Sequence, residues 1–170
     1  MNKKLIHPVL MWAIIILGMF AINWLLPARY YLFRIDWLRY LLIPAIIYWI
    51  YFFFSAFYIH RQAVKSAAKI DKIVKTGVYS IVRHPIYSSD IILGIGIFFF
   101  RPTIRMLVII VWMTIFLLFW MRIEEKGLED KFGDEYRRYK ERVNMILPIK
   151  KKVKSYSTIT FPKNFGSIWS

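Results

Sequence analysis

The sequence predicts an all-α protein, an integral membrane four-helix bundle with a cytoplasmic C-terminal helical segment. Three observations predict this class. Of the 170 residues, 58% are hydrophobic, whereas soluble domains are about 45–50% apolar. The apolar residues are gathered in four long runs separated by basic residues, as membrane-spanning helices require. The 25 Lys and Arg residues outnumber the 10 Asp and Glu residues, and most of them fall on one side of the predicted helices.

The four predicted spans cover residues 9–26, 38–59, 86–100 and 104–121 within a single domain. A hydrocarbon core of about 30 Å needs roughly 20 helical residues, so the third span is short. Since only a few residues separate the last two spans, we expect them to form a helical hairpin with Pro102 in its turn. The first run is longer than a usual signal-peptide core and is followed by no small-x-small cleavage site, so we expect a retained anchor.

The basic residues predict the orientation in the membrane. Two lie before the first span, six between the second and third, and twelve after the fourth, which makes 20 on one side. The other side carries five: Arg29, Arg34, Arg39, Arg101 and Arg105. This bias predicts a multi-pass protein with both termini in the cytoplasm, and the small size favours a prokaryotic plasma membrane. The formal net charge of +15 then fits a lipid bilayer as partner. No nucleic acid is expected, because the aromatic residues lie within the apolar runs.

Two cytoplasmic segments, 60–85 and 122–148, are expected to carry the polar chemistry. In the first, residues 61–72 read as a helix that Gly77 ends. In the second, apolar residues recur at helical spacing and predict one face of an amphipathic helix, bent at Gly127 or Gly133: Leu128, Phe132, Tyr136, Tyr139 and Val143. The tail, 149–170, mixes lysine with aromatic residues and is expected to lie loosely against the lipid headgroups.

Three polar residues are predicted to meet at the cytoplasmic mouth of the hairpin. His84 comes just before the third span, and Glu124 and Glu125 come just after the fourth. They suggest a cavity for a polar cofactor, with a lipid entering from the side. A plainer interpretation stays open, in which His84 caps a helix and the acids pair with nearby basic residues on a solvated face. Asp90, in the third span, either reaches the interface or faces the cavity.

No metal site is predicted. The chain has no cysteine and three histidines, and the histidines lack the close spacing typical of metal ligands. A thiol nucleophile, a disulfide framework and an iron–sulfur cluster are excluded by the absence of cysteine.

Three blocks of sequence, in order, resemble the isoprenylcysteine carboxyl methyltransferase family, whose wider group includes the phospholipid N-methyltransferases. They are GVYSIVRHPIY at 77–87, the acid pair at 124–125, and KFGDEYRRYKERV at 131–143 followed by Leu147-Pro148. The resemblance covers roughly residues 71–148. It implies methyl transfer from S-adenosyl-L-methionine to a membrane-soluble acceptor. The acceptor stays open between an isoprenoid acid, a phospholipid amine and a smaller hydrophobic molecule.

The resemblance also implies roles for single residues. Those implied to bind the cofactor are Lys72, Ile73, Val74, Tyr79, His84, Pro85, Tyr87 and Glu124. Two residues are predicted to be catalytic, Arg122 and Glu125. Arg122 is the arginine nearest to the position that holds the substrate carboxylate in the prenylcysteine enzymes. An amine acceptor must be neutral to react, so a base such as Glu125 or Asp90 would help. Ser89 stands where the family often has glycine, and Asn144 stands where it has proline.

Two other functions remain open. The RHPxY pattern also occurs in membrane sterol-type reductases that use NAD(P)H, although these are expected to have more than four spans. A small, basic, lipid-binding scaffold without enzymatic activity would explain the charge and the helices, but it does not require His84 and Glu124 to meet. The sequence indicates no oligomeric state.

Overall fold

The computed structural model describes residues 8–59 and 73–149. Over this part of the chain the protein is all α-helical, as predicted, with two short 3₁₀ turns at Asp36–Leu41 and Gly77–Ser80. The helices are α1 (Pro8–Leu25), α2 (Leu42–Ile59), α3 (Pro85–Phe100), α4 (Ile104–Phe132) and α5 (Asp134–Arg142). The backbone pairs of β type within the described ranges are two isolated bridges. The helix predicted at 61–72 and the residues from 150 onward lie outside the described residues.

The first four helices contact one another in the order α1–α4–α3–α2. Apolar residues of α1, α3 and α4 form one buried cluster, which includes Ile15, Ile91 and Leu117. The helices α2 and α3 approach each other closely at Gly96, where an added methyl group would lie 2.5 Å from Cβ of Ala45. Small residues that let two backbones approach closely are typical of helix interfaces in membranes.

Two helical segments, Asp36–Ile59 and Ile104–Phe132, are long and apolar enough to cross a membrane. The other two apolar helices, α1 and α3, are shorter. Large apolar side chains point outward from α1 and α2, and two of them are more than four-fifths exposed: Trp24 and Tyr58. Exposed apolar surface on this scale suits a lipid surrounding better than water.

The predicted hairpin between α3 and α4 is confirmed, because α3 ends at Phe100 and α4 begins at Ile104. Thr103 caps α4 by accepting a hydrogen bond from the backbone N–H of Met106. The loop after α1 is fastened to this turn by two backbone bonds, from Leu32 N–H to the carbonyl of Pro102 (2.8 Å) and from Ile104 N–H to the carbonyl of Tyr30 (3.1 Å).

The prediction for the segment after residue 121 needs one correction. Residues 122–132 do not begin a separate helix, because α4 continues without a break through Gly127 to Phe132. A straight helix of its 29 residues is about 44 Å long, which is longer than a hydrocarbon core of about 30 Å. The break comes at Gly133 instead. The predicted apolar face is confirmed, since its five residues pack into one cluster that Ile73 joins.

Candidate active site

The turn before α3 is anchored on both sides. Gly77 begins it with a positive φ of 59°, a conformation that glycine adopts without steric cost. Val78 and Val82 are buried against Phe52 and Ala56 of α2. On the other side, the hydroxyl of Tyr139 donates a 2.6 Å hydrogen bond to the carbonyl of Tyr79. The turn that carries Tyr79 is therefore held between α2 and α5.

A strap of residues 144–146 crosses the start of α3. The backbone N–H of Arg83 donates to the carbonyl of Asn144 (2.8 Å), and that of His84 donates to the carbonyl of Met145 (3.2 Å). The hydroxyl of Ser88 donates to the carbonyl of Ile146 at 2.7 Å. These bonds fix the backbone of the Arg83-His84-Pro85 motif, so its side chains leave in set directions.

His84 lies between the two acids. Its Nδ1 is 3.6 Å from Oε2 of Glu124, and its Nε2 is 3.3 Å from Oε1 of Glu125. His84 occupies the cap position of α3, and Pro85 takes the first position inside the helix, where its missing N–H costs nothing. The structure thus brings together the histidine before the third predicted span and the acid pair after the fourth.

Glu125 is a buried carboxylate with basic partners. Arg83 donates to its Oε1 from Nε at 2.7 Å, and the Arg83 guanidinium is held in turn by the carbonyls of Lys140 and Val143. The ammonium of Lys140 lies 3.7 Å from Oε2. Burial alone would raise the pKa of Glu125, but the hydrogen bonds from His84 and Arg83 outweigh it and lower the pKa to about 2. Glu125 is therefore ionised, and both of its carboxylate oxygens have basic partners.

Glu124 has a different environment. The hydroxyl of Tyr87 (2.8 Å) and the indole N–H of Trp120 (2.9 Å) both donate to its Oε1. Among the described residues, no lysine or arginine lies within ion-pair distance of this carboxylate. Burial raises the pKa of Glu124, and the charge of His84 and the two hydrogen bonds oppose that rise without cancelling it. Adjacent carboxylates whose pKa values are pushed apart are typical of active sites.

The other residues that the resemblance implied lie on the turn, just before it or at the start of α3, with two exceptions. Tyr79 lies on the turn and Pro85 at the start of α3, and the Tyr87 ring stacks on His84 with centroids 5.8 Å apart. Burial raises the pKa of Tyr79, and the charge of Glu124 adds to this effect. Ile73 and Val74 are partly buried just before the turn. Lys72 lies outside the described residues.

Arg122 is the second exception, because the structure does not bring it to the acid pair. Its side chain is exposed and makes no ion pair or hydrogen bond with another described residue. The guanidinium at the acid pair belongs to Arg83, which the sequence reading counted only as a basic residue of the cytoplasmic loop. Because Arg83 directly precedes His84 in the sequence, its position in the motif could have indicated that it lies near the acid pair.

Asp90 faces α2. The indole N–H of Trp49 donates to its Oδ1 at 2.8 Å, while its Oδ2 is buried without a hydrogen-bond partner. On the same two helices, one residue before Trp49 and two before Asp90, the hydroxyl groups of Tyr48 and Ser88 lie 3.1 Å apart. Asp90 therefore belongs to a polar strip between α2 and α3.

Comparison with known families identifies the chain. A model of the phospholipid methyltransferase family matches residues 36–135, which is more than half of the chain and includes the turn, the histidine motif and the acid pair. The chain belongs to this family. The match confirms the resemblance to the group that unites the phospholipid and isoprenylcysteine carboxyl methyltransferases. Membership of this family, together with the two long apolar helices, indicates a membrane protein.

Two relatives of this family member are S-methyltransferases. The chain is 40% identical over 78 residues to methanethiol S-methyltransferase 1 of Bradyrhizobium diazoefficiens. This match covers 45% of the chain and 26% of that protein. The chain is 36% identical over 90 residues to methanethiol S-methyltransferase of Pseudomonas deceptionensis, covering 51% of this chain and 33% of that protein. The similarity thus spans about a quarter to a third of the length of these relatives. No solved structure matches the chain significantly.

Proposed function

We propose that the chain is a methyltransferase that uses S-adenosyl-L-methionine and transfers its methyl group directly to a membrane-soluble acceptor. The observation that carries this proposal is the partly buried Glu124 carboxylate, bonded by Tyr87 and Trp120 and adjacent to His84, within the matched family region. The two other functions, a nicotinamide-dependent reductase and a non-enzymatic scaffold, are less well supported, because the family and both relatives are named for methyl transfer.

The residues present fit this cofactor. S-adenosyl-L-methionine carries a positive sulfonium and a positive ammonium group, and Glu124 is a partly buried carboxylate with no lysine or arginine beside it among the described residues. Such a group favours a cationic ligand. When bound, the cofactor supplies a methyl group already activated by the sulfonium. We assign its binding to Glu124 together with the seven other residues implied by the family: Lys72, Ile73, Val74, Tyr79, His84, Pro85 and Tyr87.

The two acids then have separate tasks. Glu124 balances the charge of the cofactor, and Glu125 holds Arg83 and His84 in position. For an amine acceptor, Glu125 is one of the two candidate bases that the sequence offers, beside Asp90. The low pKa of about 2 makes Glu125 a weak base, so we assign it a positioning role. The imidazole of His84 is hydrogen-bonded by Glu125 and oriented toward Glu124. Reactions of this type depend chiefly on alignment, which can supply several kcal/mol.

There are three candidate classes of methyl acceptor. An isoprenoid carboxylate and a lipid amine follow from the resemblance, and the exposed position of Arg122 removes the predicted partner of a carboxylate. A thiol is the third candidate, because both relatives are named for methylation of methanethiol. An apolar entry between helices would suit any small hydrophobic acceptor.

We further propose four membrane spans arranged as a bundle, with both termini in the cytoplasm of a prokaryotic cell. The charge bias supports this topology. The order in which the helices contact one another, α1–α4–α3–α2, supports a bundle in which the α3–α4 hairpin is central. His84 and the acid pair would then lie at the cytoplasmic membrane surface, where the polar cofactor arrives from water and the acceptor from the bilayer.

The proposal is tested by incubating the full chain in lipid nanodiscs with methyl-labelled S-adenosyl-L-methionine. Separate samples receive a total bacterial lipid extract, an isoprenoid acid and a small thiol, and mass spectrometry identifies the labelled product. We expect label in one acceptor class with the parent chain and with Glu141→Gln, which alters an exposed acid of α5, and strong loss with Glu124→Gln. No labelled product in any sample, together with no binding of the cofactor, would refute the proposal.

A further inference from the structure

A second concave site lies at the opposite end of α4 from the acid pair. It is a cavity of about 330 Å³ between α1 and the α3–α4 turn, lined among others by Met19, Asn23, Arg101, Arg105 and Ile109. Arg105 and Glu124 are separated by 19 residues of one helix, which places them about 28 Å apart along its axis. The cavity is therefore independent of the proposed active site.

The charge of this cavity is positive and uncompensated in the described part of the chain. Neither Arg101 nor Arg105 forms an ion pair with a described acid. The nearest acid in sequence on this side, Asp36, is paired with Arg39. The Nε of Arg105 is buried and has no hydrogen-bond partner. A buried donor without an acceptor costs free energy. Because Nε is closed to solvent, an anion in the cavity would contact this guanidinium through its terminal nitrogens.

The walls of the cavity are held in place by backbone bonds. Thr103, itself a lining residue, is buried and pairs in an isolated bridge with Tyr31 from the loop after α1. The backbone bonds of Leu32 to Pro102 and of Ile104 to Tyr30 fasten the same loop to the turn. A cavity formed by fastened segments needs little reorganisation to bind a ligand.

We propose that this cavity binds the phosphate group of an anionic phospholipid. Arg101 and Arg105 donate hydrogen bonds to the phosphate oxygens. The acyl chains lie on the apolar side, where Met19, Met106 and Ile109 line the cavity and Phe20 of α1 is exposed. The apolar lining favours a lipid phosphate over free phosphate, because free phosphate would leave these groups without contacts.

The test compares lipid binding by matched arginine variants of the full chain in mild detergent. Arg101→Gln/Arg105→Gln removes two charges from the cavity. Arg29→Gln/Arg34→Gln removes two charges from the same end of the protein, from side chains that stack on Tyr30 and Tyr31 and do not line the cavity. Native mass spectrometry and the shift of the apparent unfolding temperature report binding of phosphatidylglycerol, of phosphatidylcholine and of inorganic phosphate.

We expect phosphatidylglycerol to bind and stabilise the parent and the Arg29/Arg34 variant. Its affinity should fall about tenfold or more in the Arg101/Arg105 variant, as expected for lost hydrogen bonds to a charged group. If that variant does not fold, Arg101→Gln alone, at an exposed side chain, should give a smaller loss in the same direction. Equal affinity in all variants, equal binding of phosphatidylcholine, or the same stabilisation by inorganic phosphate would each overturn the proposal.

Discussion

Arg83 and His84, neighbours in sequence, both reach the same oxygen of Glu125. Nε of Arg83 lies 2.7 Å from Oε1, and Nε2 of His84 lies 3.3 Å from it. The histidine motif before α3 and the acid pair on α4 are therefore one structural unit. Because Glu124 is the neighbour of Glu125 on α4, this unit also sets where the Glu124 carboxylate points.

The first prediction concerns the ion pair between Arg83 and Glu125. Both side chains are buried, so Arg83→Gln leaves a buried carboxylate without its main partner. We expect a loss of about 3–5 kcal/mol in the free energy of unfolding, measured as resistance to denaturant in detergent. Arg122→Gln, at an exposed side chain, should change it by about 0.5 kcal/mol or less. Equal effects of the two substitutions would contradict this assignment.

The second prediction follows from the pKa of Glu125, which is lowered from its ordinary value of 4.5 to about 2. A lowered pKa means that the ionised form stabilises the folded state. This stabilisation is fully present above about pH 4.5 and disappears as the pH falls toward about 2. The apparent unfolding temperatures of the parent and of Glu125→Gln should therefore differ at pH 7 and converge at acid pH. A difference that does not change with pH would show that the charge of Glu125 contributes nothing.

The third prediction concerns the hydrogen bond from Tyr87 to Glu124. Tyr87→Phe removes one of the two donors that orient this carboxylate. We expect binding of S-adenosyl-L-methionine to weaken about tenfold, as for a lost hydrogen bond to a charged group, measured by calorimetry. Tyr48→Phe removes a hydroxyl that faces Ser88 instead and should leave the affinity unchanged. If the two variants bind equally well, Tyr87 does not act through Glu124.

The sequence was sufficient for the helices and for the meeting of His84 with the acids. The apolar runs located the helices, and a short hairpin turn must bring the start of α3 near the later turns of α4. The sequence was not sufficient to predict which arginine lies at the acid pair. Arg122 lies two residues from Glu124, about 200° around the helix, so its side chain leaves on another face.

Other features depend on contacts that are distant in sequence. The direction of Arg83 is set by the strap at 144–146, whose pairing with the start of α3 leaves no periodic signal in the sequence. The direction of Asp90 is set by Trp49 on the neighbouring helix. Gly127 favoured a break by its low helix propensity, but α4 continues through it, as tertiary packing often overrides propensity.

The fourth prediction compares two glycines of α3. A methyl group at Gly96 would lie 2.5 Å from Cβ of Ala45 and 3.4 Å from the backbone of Leu42, neither of which can turn aside. At Gly94 it would meet only the flexible end of Met113 at 2.9 Å and Ile110 at 3.6 Å. We expect Gly96→Ala to cost about 1–3 kcal/mol by separating α2 from α3, and Gly94→Ala to cost less or to stabilise through helix propensity.

Thermal unfolding of both glycine variants in detergent measures this difference. The reverse order, with Gly94→Ala the more harmful, would mean that α2 and α3 do not approach as closely as the structure has them.

The central claim, that Glu124 beside His84 binds the cationic cofactor, is tested most directly by calorimetric titration of the purified chain with S-adenosyl-L-methionine. We expect the parent and Glu141→Gln to bind with the same affinity and Glu124→Gln to bind about tenfold more weakly or worse. Binding by Glu124→Gln that equals that of the parent, or no binding by a folded parent chain, would contradict the claim.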